Sequence, residues 1–211
     1  PIYVTEASEA PVTATRGNAV AARKPYFIGI GEGKGKALPT FTWKDPENIE
    51  IRRTPLFETH RQMGAKMVPF AGWEMPVWYT SVVEEHTATR KAAGLFDVSH
   101  MGELWAEGPN AFALVQKLTT NDVSALRDGK VQYSCFPNGR GGIVDDLLVY
   151  RFSDTKYLLV VNASNIDKDW NWCVRNAEKF GIVVGRDLVN ASDGIAQLAV
   201  QGPLAMKAMQ K

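Results

Sequence analysis

Apolar and polar positions alternate most regularly between Lys130 and Asn162. KVQYSCF, IVDDLLVYRF and YLLVVN are rich in β-branched, aliphatic and aromatic residues, and the polar turns PNGRGG and SDTK separate them. Such runs, bounded by Gly, Pro, Asn, Asp and Ser, predict an antiparallel meander. Earlier in the chain, Leu56, His60 and Met63 recur at helical spacing in LFETHRQM. Thr54-Pro55 is the expected cap and first helical residue, and Gly64 the stop. KMVPFAGWEMPVWYT predicts a short strand and an aromatic loop holding Trp73, Trp78 and Tyr79. Ser81 and Glu84 make a capping box for SVVEEHTATRKAA, closed by Gly94. MGELWAEG alternates as a strand, and Pro109 opens an amphipathic helix through Leu118. Beyond the meander, Ser164 and Asp167 are the expected cap of a helix whose Ile166, Trp170, Cys173, Val174, Ala177 and Phe180 recur on one face. Gly181 stops it, and IVVGRDLVN and IAQLAVQG predict two further strands. Helices between antiparallel strands, without regular βαβ alternation, give an α+β fold class.

Residues 1–51 have a different texture. PIYVTEASEAPVTATRGNAVAARKP is small, polar and aperiodic, and Gly29, Gly31, Gly33 and Gly35 then occupy every second position. That spacing fits neither G-x-G-x-x-G nor a phosphate-binding loop. A linker or extended arm is expected, with Tyr26, Phe27, Phe41 and Trp43 pinning it to a neighbouring surface. The chain opens on Pro1 and closes on GPLAMKAMQK, the first turns of a helix, so both ends read as cut.

Composition narrows the function classes. The 211 residues carry 24 Lys and Arg against 23 Asp and Glu, a formal net charge of +1 with no basic block. No nucleic-acid or membrane-surface partner is expected, and no apolar run approaches the roughly 18 residues of a membrane span. Cys135 and Cys173 have no metal-ligand spacing, and His60, His86 and His100 are too scattered for a zinc site. Free thiols in a reducing compartment are the expectation. Asp97, Ser99 and His100 sit too close together on one strand to converge as a nucleophilic triad; Asp97 and His100 are read as satisfying buried backbone or each other.

The chemistry that stands out is in the middle run of the meander. Asp145 and Asp146 are adjacent acids in an apolar strand, so they point to opposite faces. Asp145 shares a face with Leu147 and Val149, and its expected role is structural, beside the Gly-rich turn. Asp146 shares its face with Leu148 and Tyr150, and neighbouring strands add Tyr133 and Asn162. An acid, two phenols and an amide among aliphatic side chains have the make-up of a small-molecule pocket. An ionised carboxylate on such a face requires a partner or a task, because an unpaired buried charge costs several kcal/mol.

TPLFETH, GAKMVPFAGWEMPVWY, GLFDVSHMGE, TTNDVSAL, GGIVDDLLVY, LLVVNASNIDKD and LAVQGP together resemble the aminomethyltransferase family, the T-protein of the glycine cleavage system. The resemblance runs from about residue 52 to 211 and covers the first part of that family's length. It implies a folate-binding domain that is discontinuous, 52–101 and then 191–211, around a second α+β domain at 102–190. It implies tetrahydrofolate as co-substrate, no metal, and the lipoylated H-protein as partner, with ammonia released and methylenetetrahydrofolate formed. By the same matching Asp146 is the essential acid, and Met101, Tyr133, Leu148, Tyr150, Val160 and Asn162 are folate-contacting. The expected compartment is the cytoplasm of a bacterium, or the mitochondrial matrix in a eukaryote. The family's pterin-gripping glutamate, its tail-binding arginine and its third domain lie outside these 211 residues, so the isolated chain is expected to be inactive. Two alternatives stand beside this reading: the folate domain of a dimethylglycine or sarcosine dehydrogenase-like fusion, and a non-catalytic folate-binding protein of the same superfamily.

Overall fold

The computed structural model describes residues 41–47, 50–138 and 142–210. Most of the predicted arm, residues 1–40, lies outside them. The chain divides into two compact units. Among the described residues, one comprises 41–43 and 103–191, and the other 44–102 and 192–210.

In the second of these units, α1 (Phe57–Gln62) buries Phe57 and His60 and leaves Met63 exposed. Thr54 is not its cap. The α1 helix starts from Leu56 with no side-chain cap, and the buried Thr54 hydroxyl donates to Asp97 Oδ2 at 2.6 Å. A hydrogen bond to a carboxylate is stronger than one between neutral groups, which accounts for the preference. The predicted strand and aromatic loop are a full hairpin of β1 (Lys66–Phe70) and β2 (Trp73–Trp78). Ala71 and Gly72 turn it with φ of 50° and 81°, the left-handed pair that suits the twist of a two-residue connection. Then α2 (Val82–Lys91) is capped as expected, Ser81 Oγ accepting from Glu84 N at 3.2 Å. It ends at Ala92 rather than Gly94. Gly94 opens β3 (Gly94–Asp97), where a Cβ would stand 2.5 Å from Thr89 Oγ1.

The other unit holds a sheet of five strands. Its elements are β4 (Gly102–Glu107), α3 (Ala111–Leu118), β5 (Lys130–Pro137), β6 (Ile143–Ser153), β7 (Lys156–Val161), α4 (Ile166–Ala177) and β8 (Leu188–Asn190). The strand order is β5-β6-β7-β4-β8, with the predicted meander forming one side. Leu104, Ala106, Leu147, Val149, Leu159 and Val161 of the sheet pack into one core with Leu114, Val115 and Leu118 of α3 and with α4. The α4 stripe is Ile166, Asp169, Trp172, Cys173, Asn176 and Ala177. Trp170 and Val174 flank it, only partly buried, so the fully buried tryptophan is Trp172. Ser164 lies in a 3-10 turn before α4, whose N-cap Asn165 makes no side-chain bond. Phe41 packs against Trp172 with ring centroids 5.1 Å apart. IVVGRDLVN supplies only the short β8.

The chain then re-enters the unit of residues 44–102, where β9 (Leu198–Gln201) pairs antiparallel with β3, and α5 (Ala205–Met209) follows. Among the described residues no helix is long and apolar enough to cross a membrane. Antiparallel sheets with helices between them make this an α+β protein.

Candidate functional site

The register of the meander builds the site. Tyr133, Leu148 and Val160 stand in one cross-strand row, and Cys135 is opposite Asp146. Alternation along β6 turns Asp145, Leu147 and Val149 into the core and leaves Asp146, Leu148 and Tyr150 on the other face, partly open. Tyr133, 59% exposed, donates its hydroxyl proton to Asp146 Oδ2 at 2.6 Å. That bond, before any effect of burial, pushes the phenol up to about 12, so Tyr133 stays a donor at neutral pH. On the other side of the carboxylate, Asn162 Nδ2 stands 3.1 Å from Asp146 Oδ1 and 3.2 Å from its backbone oxygen. Both Asp146 oxygens therefore accept a hydrogen bond that fixes their direction. Tyr150 is half-buried, and burial raises its phenol. Burial, followed by the charge of Asp146, raises the Cys135 thiol.

Four of the residues singled out in the sequence thus share the sheet with Asp146, namely Tyr133, Leu148, Tyr150 and Val160, while Asn162, expected on a strand, follows the end of β7 and reaches Asp146 by its side chain. Val160 is only 3% exposed. Met101 belongs to the other unit, in the turn after β3, where its amide donates to Val98 O at 3.0 Å.

Asp145 has a role tied to side chains rather than to the turn. Both its oxygens lie 3.2 Å from Asn162 Nδ2, the same nitrogen that serves Asp146. Beneath it is a residue that the apolar pattern concealed. Asp169 occupies the buried stripe of α4 with no exposed surface, and neither of its oxygens meets a donor group. Burial and then the neighbouring Asp145 push its carboxyl up to about 9, so it is a neutral acid able to donate to Asp145. Its position three residues after Ile166 and four before Cys173 was the available signal.

A separate polar cluster lies in the other unit. Asp97 Oδ2 accepts from Thr54 and from His60 Nε2 at 2.8 Å, and Oδ1 accepts from Ser99 N at 2.9 Å. Burial opposes its charge, but these bonds outweigh burial and hold the carboxyl below its usual range. The histidine partner of Asp97 is therefore His60, whose Nδ1 lies 2.7 Å from the Tyr79 hydroxyl, and not His100, which packs edge-on against Phe70. Ser99 Oγ donates to Gln197 O, so no nucleophile is activated there. Among the described residues no group of three or more His, Cys, Asp or Glu could hold a metal ion.

Residues 56–211 match the family model described as the GCVT N-terminal domain. The chain belongs to the GCVT N-terminal domain family. An aminomethyltransferase of Phocaeicola vulgatus is 56% identical over 161 residues, covering 76% of this chain and 43% of its own length. One from Desulfitobacterium hafniense is 56% identical over 162 residues, covering 77% and 43%. The crystal structure of glycine cleavage system aminomethyltransferase T from Bartonella henselae superposes with a TM-score of 0.64 at 37% identity, over 75% of this chain and 42% of that one. This GCVT N-terminal domain thus spans less than half the length of the relatives it matches.

Proposed function

We propose that this chain supplies the reacting carboxylate and one wall of the folate site of a tetrahydrofolate-dependent aminomethyltransferase of the glycine cleavage system. In that reaction the aminomethyl group carried by the lipoylated H-protein passes to tetrahydrofolate, giving methylenetetrahydrofolate and ammonia. The observation that carries the reading is the convergence of Tyr133 and Asn162 on the two oxygens of Asp146. The family match and its aminomethyltransferase relatives support it.

The face suits the ligand. Leu148, Tyr150 and the ring of Tyr133 offer apolar and aromatic surface to a flat heterocycle, and Asp146 offers a directed negative charge to its nitrogen. During transfer the folate nitrogen attacks a carbon and loses a proton, while the departing amine gains one. A carboxylate held against that nitrogen orients it and stabilises the positive charge that develops. Because Tyr133 and Asn162 already hold the carboxylate in place, little reorganisation is left for the reacting step. The remaining contribution is positioning of two bulky carriers, which removes an entropic barrier. Met101 and Val160 are proposed as further folate contacts. The transfer needs no metal, and the lipoylated H-protein is the proposed protein partner.

The test is an assay in the chain extended to the length of its relatives, supplied with aminomethylated H-protein and tetrahydrofolate. Stoichiometric ammonia and methylenetetrahydrofolate are expected. A protein that binds folate but yields neither overturns the assignment.

A further inference from the structure

Among the described residues, Asp169 is a fully buried acid beside the site's hydrogen-bond network that the proposed reaction does not use. From its side the network is continuous. Asp169 lies against Asp145, Asp145 lies 3.2 Å from Asn162 Nδ2 through either oxygen, and the same nitrogen is 3.1 Å from Asp146 Oδ1. Tyr133 closes it from the opposite side at 2.6 Å. The orientation of Asn162 follows from its neighbours. Carboxylate oxygens only accept, so the amide must present its nitrogen to both acids.

A single NH2 group shared by two acidic side chains is poorly determined unless one acid is itself fixed. Asp145 is fixed only if something donates to it from inside the core. The faces that α3 and β8 turn to that core are apolar, Leu114, Val115, Leu118 and Leu188. The charged groups acting on Asp169 are Asp145 and Asp146 from β6 and Lys168 on its own helix; the Cys173 thiol, one turn on, is raised in part by Asp169. A protonated Asp169 is the donor in that position, and a hydrophobic residue there would pack as well without donating.

We propose that Asp169 is a positioning residue for Asp146, acting through Asp145 and Asn162. It donates to Asp145, the anchored Asp145 turns the Asn162 amide, and the amide aims one oxygen of Asp146 at the substrate-facing side of the sheet. The proposal rests on the aminomethyltransferase reading for its catalytic meaning, while the coupling between Asp169 and Asn162 is tested independently of it, on a fully buried acid whose two oxygens meet no donor group. With three carboxyl groups gathered in one region, retention of one proton also relieves their mutual repulsion.

The test has two readouts. In the 211-residue chain, the side-chain carbonyl carbon of Asn162 is followed by NMR from pH 7 upward. The wild type is expected to show a shift as Asp169 ionises near pH 9, where its burial and Asp145 place it, and Asp169→Asn is expected to abolish that shift. An identical titration in both proteins overturns the proposal. In the chain extended to its relatives' length, Asp169→Ala is expected to lower turnover per folded molecule about tenfold, the scale seen when an outer partner of a reacting group is lost, with tetrahydrofolate KM little changed. Asp169→Asn, which still donates to Asp145, is expected to restore most of that turnover. Equal turnover per folded molecule in the Ala variant and the wild type shows a packing role only and overturns the proposal. Should Asp169→Ala fail to fold, the wild-type and Asn titrations decide the question by themselves. Should the wild type release no ammonia, the functional reading fails, while the Asn162 shift still reports whether Asp169 governs the amide.

Discussion

Two neighbouring carboxylates on one strand have been given opposite environments, and each environment can be probed alone. Asp146→Asn keeps the size and much of the hydrogen bonding of the side chain but loses its charge. Turnover in the extended protein is expected to fall by about 100- to 1,000-fold, the range for one electrostatic donor or acceptor of a transition state. Tetrahydrofolate affinity should stay within a few-fold, because the lost interaction strengthens only as charge develops. Steady-state kinetics beside a binding titration separate the two effects. Tyr133→Phe removes the 2.6 Å bond to Asp146 from a phenol that is largely exposed. Its urea unfolding midpoint is expected to be nearly unchanged, as for most surface positions, while turnover falls because one Asp146 oxygen is released. A Tyr133→Phe enzyme with undiminished turnover would show that Asn162 alone holds the carboxylate.

At the level of single elements, α4 carries a pH dependence that its sequence conceals. The Asp169 carboxyl titrates near 3.8 in the unfolded chain and near 9 in the fold, and Glu103 of β4 is likewise pushed by burial from 4.5 to about 7. Both are raised, so the folded chain holds more protons than the unfolded one between these values. Their contribution to stability is complete below about pH 4 and is lost as pH rises through 7 and on to 9. Asp169→Asn is expected to flatten the upper part of that decline, so that the variant gains on the wild type between pH 6 and 9 in urea unfolding. The meander itself was legible because strict alternation and turn residues act over a few positions and need no knowledge of the rest of the fold. Asp169 was not, since an acid within an apolar stripe is ordinarily read as the stripe's edge. Thr54 was misread for a related reason: its hydroxyl has a local use as a cap and a distant one at Asp97, and only the fold brings Asp97 near. Gly94 looked like a helix stop, but the tight approach of Thr89 explains it. Of the site, the Asp146 face followed from periodicity, whereas the amide shared with Asp145 required the actual register of β6 and β7.

For the molecule as a whole, the short coverage of its relatives sets an expectation. The 211-residue chain should bind tetrahydrofolate weakly in calorimetry, because a pterin edge left without a partner costs about 1–3 kcal/mol for each polar group. Micromolar affinity would show that the described wall suffices. Phe41 is predicted to matter more than the composition around it suggests: truncation to residue 45 removes its contact with Trp172, and the loss should be on the order of 1 kcal/mol in thermal unfolding, whereas truncation to residue 40 keeps it. The pairing of Asp97 with Leu198 joins points about a hundred residues apart, a slow contact to make in an unfolded chain. Yet the intervening unit ends where it begins, Ala191 N donating to Glu103 O at 2.9 Å. Once that unit has folded, the loop left for β9 to close shrinks to about a dozen residues, which spares roughly 2 kcal/mol of chain entropy. During synthesis the ribosome would therefore release β9 into a nearly closed ring, and the unit split in sequence would assemble last without a long search.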